Sequence, residues 1–190
     1  MNDVLLLLLV FSPLAGMLLL LFIKSDRERF IKWIGAAATV PALLISLYVY
    51  VQFQAGERLG QYDIRLDWFR FGNFEQYDPN LYAVRFELGV DGLSLVMLLL
   101  TSLLCTLAAI ASMQIKKEWK GYFLLFLTLE IGMLGVFVSE NLILFFLFFE
   151  VTLISMFFLI GKWGYGRSGQ AAYSFLIYNG LGSAVLLIVI

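Results

Sequence analysis

Two acidic side chains stand where the sequence otherwise avoids water. Glu150 lies at the centre of the apolar stretch NLILFFLFFEVTLISMFFLIG, residues 141–161, and Glu130 at the centre of the run 121–139. A charge at mid-membrane depth costs about 2.5–3.5 kcal/mol on insertion scales. Desolvation works against the ionised form, which lets such an acid take up and release protons near neutral pH. The structural alternative is a protonated glutamate that donates a hydrogen bond between helices, a contribution of about 0.6–2 kcal/mol. Glutamine, serine or threonine would do that at less cost. The two runs are adjacent and antiparallel, so the acids share one depth. They either hold a proton between them or form stations on a route. No Lys or Arg lies in the third to sixth apolar runs, so neither acid has a counter-ion there. The side chains one turn from Glu150 (Phe146, Leu147, Leu153 and Ile154) are all apolar.

The elements that carry these acids follow from composition. Of the 190 residues, 62% are hydrophobic and 14% charged, whereas a soluble domain is nearer half apolar and a quarter charged. A spanning helix needs about 20 mostly apolar residues. Six segments qualify, at about 4–23, 31–53, 93–113, 121–139, 141–161 and 171–190. They are expected to be helices, since lipid offers the backbone no hydrogen-bond partner and the runs lack the alternation of barrel strands. The first run follows Asn2 and Asp3, carries no positive flank and no small-residue cleavage site, and reads as a retained helix rather than a signal peptide. The expected fold class is therefore an all-α polytopic membrane protein, a single membrane domain over residues 1–190. The last run ends with no polar flank, as in the front part of a longer chain.

Lysine and arginine set the orientation. Lys24, Arg27, Arg29 and Lys32 lie in the first loop, Lys116, Lys117 and Lys120 in the third, and Lys162 and Arg167 in the fifth. The other four, Arg58, Arg65, Arg70 and Arg85, lie in the long loop 54–92 among acids such as Asp63, Asp67 and Glu87. The N-terminus is thus expected outside the cytoplasm. In the long loop, Tyr62, Ile64, Leu66 and Trp68 alternate with charged residues, as do Tyr82, Val84, Phe86 and Leu88. Period-two patterning predicts two half-buried strands, a small extracytoplasmic β-hairpin. Turn-prone Gly72-Asn73 and Asp78-Pro79-Asn80 lie between them.

Other residues argue mainly for structure or exclude functions. Histidine is absent and Cys105 is the only cysteine. One thiol builds no disulfide, zinc cage or iron–sulfur site, so neither a metal site nor a redox centre is expected on this chain. Cys105 reads as a small packing residue. The net charge of −1 points to neither a nucleic-acid partner nor a polybasic lipid-binding tail. Asp91 is placed to cap the third helix, Gly132 and Gly135 suit close helix packing, and Pro41 is expected to kink the second helix. Trp119, Trp163 and Tyr165 sit at interfacial depth.

Three segments together, GVDGLSL (89–95), FFEVTLISMFFLIGKWG (148–164) and AAYSFLIYNGLGS (171–183), resemble the antiporter-like subunit M, or chain 4, family of proton-pumping NADH-quinone oxidoreductase, respiratory complex I. The resemblance extends to the antiporter-like subunits N and L and to Mrp-type cation/proton antiporters. It implies about 14 spans in a complete member. It also implies a bacterial plasma-membrane location and a complex with subunits N and L. NADH, FMN, iron–sulfur clusters and quinone would then bind on other subunits. The family glutamate matching Glu150 works with a lysine of the seventh helix, beyond Ile190. A family glutamate in the fourth helix matches Glu130. Two departures are visible: Ser155 stands where proline is common, and Ser174 where many members carry lysine. The implied function is proton translocation coupled to NADH oxidation and quinone reduction, with no redox chemistry on this chain. Alternatives are a sodium/proton antiporter subunit of the Mrp type, or a truncated structural segment that transports nothing.

Overall fold

The computed structural model describes residues 2–24, 27–54, 63–70 and 83–189. Its elements are α1 (Asn2–Phe22), α2 (Glu28–Gln54), β1 (Asp63–Arg70), β2 (Ala83–Gly89), α3 (Gly92–Ala111), α4 (Trp119–Val138), α5 (Leu142–Trp163) and α6 (Ser168–Val189). A 3-10 turn, Ser112–Gln114, extends α3. All six helices are long and apolar enough to cross a membrane.

The helices begin and end where side chains satisfy free backbone groups. Asp91 accepts from the Ser94 amide at 2.6 Å, while Ser94 Oγ accepts from the Asp91 amide at 2.8 Å, which closes a reciprocal cap on α3. The Ser94 amide, followed by its hydroxyl, holds the Asp91 carboxyl below the usual carboxylate range. Asn141 Oδ1 accepts from the Ile143 amide at 2.9 Å and starts α5. Glu118 adopts left-handed backbone (φ 48°) and turns the chain sharply into α4. Lys120 Nζ reaches back to the carbonyls of Leu21 and Ile23, at 3.1 and 2.8 Å. A cation at those orphan carbonyls stabilises the end of α1.

Helix α4 is the hub. It packs against α1, α2, α3 and α5, and 56% of its span is buried, against 11% for α6. Missing side chains let these helices meet. A Cβ at Gly16 would overlap Ala38, and one at Gly35 would overlap the Phe123 ring. A Cβ at Gly135 would overlap the Phe148 ring, and one at Gly132 would lie 2.7 Å from Thr152 Cγ2. Helix α2 runs unbroken through Pro41, and α1 through Pro13. Ser155 Oγ donates to the Val151 carbonyl at 2.8 Å, and α5 continues past it to Trp163.

Strands β1 and β2 pair antiparallel, from Asp63 opposite Gly89 to Arg70 opposite Ala83, with an irregularity between Asp67 and Phe69. Leu88 forms a bridge to Ser139, and the Glu140 amide donates to the Glu87 carbonyl at 3.1 Å. The sheet is thereby tied to the junction of α4 and α5. The turn residues Gly72-Asn73 and Asp78-Pro79-Asn80 lie outside the described residues, as do Tyr62 and Tyr82.

Candidate functional site

Glu130 is wholly buried, at 0% exposure. Neither carboxylate oxygen has a hydrogen-bond partner. Its helix presents Phe126, one turn earlier, to Ala36 of α2 and to Cys105 and Ala109 of α3. Near this cluster Ser46 Oγ and Ser102 Oγ join α2 to α3 at 2.8 Å, and Thr106 Oγ1 donates to the Ser102 carbonyl at 2.8 Å. The acid therefore follows Phe126 by one turn on the part of α4 that packs against α2 and α3. An isolated buried charge costs several kcal/mol. A carboxyl in such a place needs a proton, a water or a cation.

Glu150 is half-buried on α5. Its direction follows from its neighbours. Phe148 and Thr152 meet the α4 glycines, and each is two residues from Glu150, about 200° around the helix. Glu150 thus faces away from α4. Phe157, two turns later on the same face, packs edge-on against Tyr173 of α6, with ring centroids 5.8 Å apart. Further along that face, Gly161 lies against Ala172, whose Cβ is 3.5 Å from where a glycine Cβ would be. Carried along the antiparallel pair, these contacts set Glu150 level with residues 180–183 of α6, where the buried Ser183 Oγ donates to the Gly180 carbonyl at 3.2 Å.

Gly132 also fixes relative depth. A Cβ there would lie 3.2 Å from the Phe148 carbonyl oxygen and 3.1 Å from the Thr152 amide nitrogen, the two ends of a turn with Glu150 inside it. Glu150 is level with Gly132, so Glu130 is offset by two residues, about 3 Å along the axis. Glu130 is itself two residues from Gly132 and points about 200° away from the α5 contact. The acids therefore stand at nearly one depth but on opposite sides of the α4–α5 pair. Packed helix axes lie about 8–10 Å apart, and no hydrogen bond reaches Glu130. In this arrangement no hydrogen bond joins the two acids.

Asp91 is an exposed capping residue, and Cys105 is buried within α3. Among the described residues no three His, Cys, Asp or Glu side chains converge on a metal-sized site. The hydroxyl row between α2 and α3 was not singled out from the sequence. Its signal was present: Ser102 and Thr106 are four residues apart inside an apolar run, the spacing of one helical face.

A family model described as NADH-ubiquinone oxidoreductase chain 4, amino terminus, matches residues 68–138. A second, described as NADH:quinone oxidoreductase/Mrp antiporter, TM, matches residues 139–190. NADH-ubiquinone oxidoreductase chain 4 of Arabidopsis thaliana is 35% identical over 96% of this chain and 35% of its own length. NADH-quinone oxidoreductase subunit M of Rhodobacter capsulatus is 33% identical over 95% of this chain and 34% of its own. A chain of the membrane-bound sulfane sulfur reductase, an archaeal respiratory membrane complex, shares the fold with a TM-score of 0.72 at 21% identity, over 98% of this chain and 35% of that one. The chain spans about a third of the length of the curated relatives it matches. On the two consecutive family matches and these relatives, the chain belongs to the antiporter-like chain 4, or subunit M, family of NADH-quinone oxidoreductase.

Proposed function

We propose that the chain is a membrane-arm subunit of the NADH-quinone oxidoreductase complex. In this reading it takes part in proton translocation coupled to NADH oxidation and quinone reduction. The observation that carries it is Glu130: a carboxyl wholly buried in a membrane-spanning hub helix, with both oxygens unpartnered. Intramembrane ionisable residues are functional by default, because packing alone gives no reason to bear their cost.

Glu130 and Glu150 each take a proton on a carboxylate oxygen and release it again. Because they lie on opposite sides of the α4–α5 pair, a proton moves between them through water or hydroxyls rather than across one direct bond. A cation facing Glu150 from the α6 side favours its charged form, and withdrawal of that cation drives proton uptake. The family resemblance supplies that cation as a lysine. The assignment as a translocase belongs to the whole complex. NADH, FMN, the iron–sulfur clusters and quinone bind other subunits, and subunits N and L are neighbours in the membrane. The location is the bacterial plasma membrane, with the N-terminus and the paired strands as a hairpin on the extracytoplasmic side.

The test is Glu150→Gln and Glu130→Gln in the full-length complex, with proton pumping measured beside NADH oxidation. Loss of pumping in both variants is expected, and unchanged pumping removes the residue from the route. The second matched family also takes in Mrp antiporters, which favours one other reading, a sodium/proton antiporter subunit. Transport that requires sodium and persists without NADH would select it.

A further inference from the structure

We propose that a lysine-lined groove at the loop end of α3, α4 and α5 binds the phosphate headgroup of an anionic phospholipid, with an acyl chain lying along α3. The groove has a volume of about 810 Å³ and is lined by Lys116, Lys117, Lys162, Tyr122, Trp163 and Tyr165, among others. Lys162 is held by an ion pair with Glu118 and lies 5.2 Å from the centre of the Trp163 ring. Among the described residues, Lys116 and Lys117 make no ion pair, so their charges are available to an anion. The Trp163 indole N–H donates to the Lys117 carbonyl at 2.7 Å and fixes the wall. Tyr122 packs edge-on against the Trp163 ring, with centroids 5.5 Å apart, and its hydroxyl shares a hydrogen bond of 2.7 Å with Ser112.

Depth and shape select a lipid. The groove lies at the ends of three membrane-spanning helices, the level at which tryptophan, tyrosine and lysine meet headgroups. Basic pockets between such helices are lipid headgroup sites. An exposed apolar stripe leads straight to it. Leu100, Leu104 and Leu107 are 48%, 54% and 55% exposed and follow one face of α3, which ends at Ala111 in the groove wall. A charged mouth continuous with an apolar track matches the two parts of a phospholipid. A net charge of −1 conceals this site, because Lys116 and Lys117 are far from Lys162 in sequence and meet only in the fold. The inference is independent of whether Glu130 and Glu150 carry protons.

The test uses the intact membrane complex that carries this chain, in lipid nanodiscs. Phosphatidylglycerol or phosphatidylcholine with a photoreactive acyl chain is added as tracer, and adducts are mapped by peptide mass spectrometry. Labelling between Leu100 and Ala111 is expected in excess with the phosphatidylglycerol probe. Each lysine beside an anionic lipid contributes a factor of about five. The excess should therefore fall on the order of 25-fold in Lys116→Gln/Lys117→Gln and survive in Lys116→Arg/Lys117→Arg. Should the double variant not assemble, each single glutamine variant is expected to lose about fivefold. Equal labelling by the two probes overturns the proposal, as does an excess indifferent to the lysines. Displacement of the probe by excess inorganic phosphate assigns the groove to free phosphate and overturns the lipid. Absence of labelling by either probe means that protein covers this face, and also overturns it.

Discussion

Replacing Glu130 by different residues separates a packing role from a proton-carrying one. Both its oxygens are buried without partners, and an unsatisfied buried polar group costs about 1–3 kcal/mol. Glu130→Leu is therefore expected to stabilise the isolated chain by about that amount against unfolding in detergent, while abolishing its contribution to pumping in the complex. A loss of stability would mean that the carboxyl has a structural partner after all. Glu150→Asp keeps the acid with shorter reach, and partial pumping is expected. Both acids were conspicuous in the sequence, because each interrupts an otherwise apolar run. Their directions were not. Those depend on which residues of α4 and α5 touch, and that is settled by Gly132 and Gly135 admitting Thr152 and Phe148, long-range packing that no local pattern encodes.

At the scale of elements, the close α4–α5 approach keeps the two acids on opposite sides. Gly135→Leu inserts a side chain into the Phe148 ring, and overpacking of this kind costs about 1–3 kcal/mol. Thermal unfolding in detergent is expected to show that loss, with pumping reduced even though both acids are intact. The Asp91 cap gives a pH-dependent prediction. Its folded carboxyl is held below its ordinary value of 3.8 by Ser94. The cap's contribution is thus fully present above that value and is lost as pH falls through the lower folded one. Asp91→Ala should cost about 0.5–2 kcal/mol at neutral pH, and the difference from the parent should vanish in strong acid. Hydropathy located the six helices but not their polar ends. Helix α2 starts at Glu28, ahead of its apolar run, because Lys32 Nζ donates to Glu28 Oε1 one turn away. Helix α6 starts at Ser168, whose hydroxyl donates to the Gly161 carbonyl at 3.2 Å.

At the scale of the whole molecule, the loops rich in lysine and arginine gather at one end of the bundle and the paired strands at the other. With Cys105 buried and the only thiol, Cys105→Ala gives a background for topology mapping. A cysteine placed at Lys117 is expected to react with an impermeant reagent only in inside-out vesicles, which would put that end in the cytoplasm. The sequence made the charge asymmetry legible and hid the groove it builds, because convergence of separate loops is a property of the fold. The central claim is that Glu130 and Glu150 change protonation as the complex works. Infrared difference spectroscopy of the complex during NADH oxidation tests it most directly. Carboxyl bands that appear and disappear with turnover are expected, one lost in Glu130→Gln and another in Glu150→Gln. Spectra identical in the parent and both variants would contradict the account.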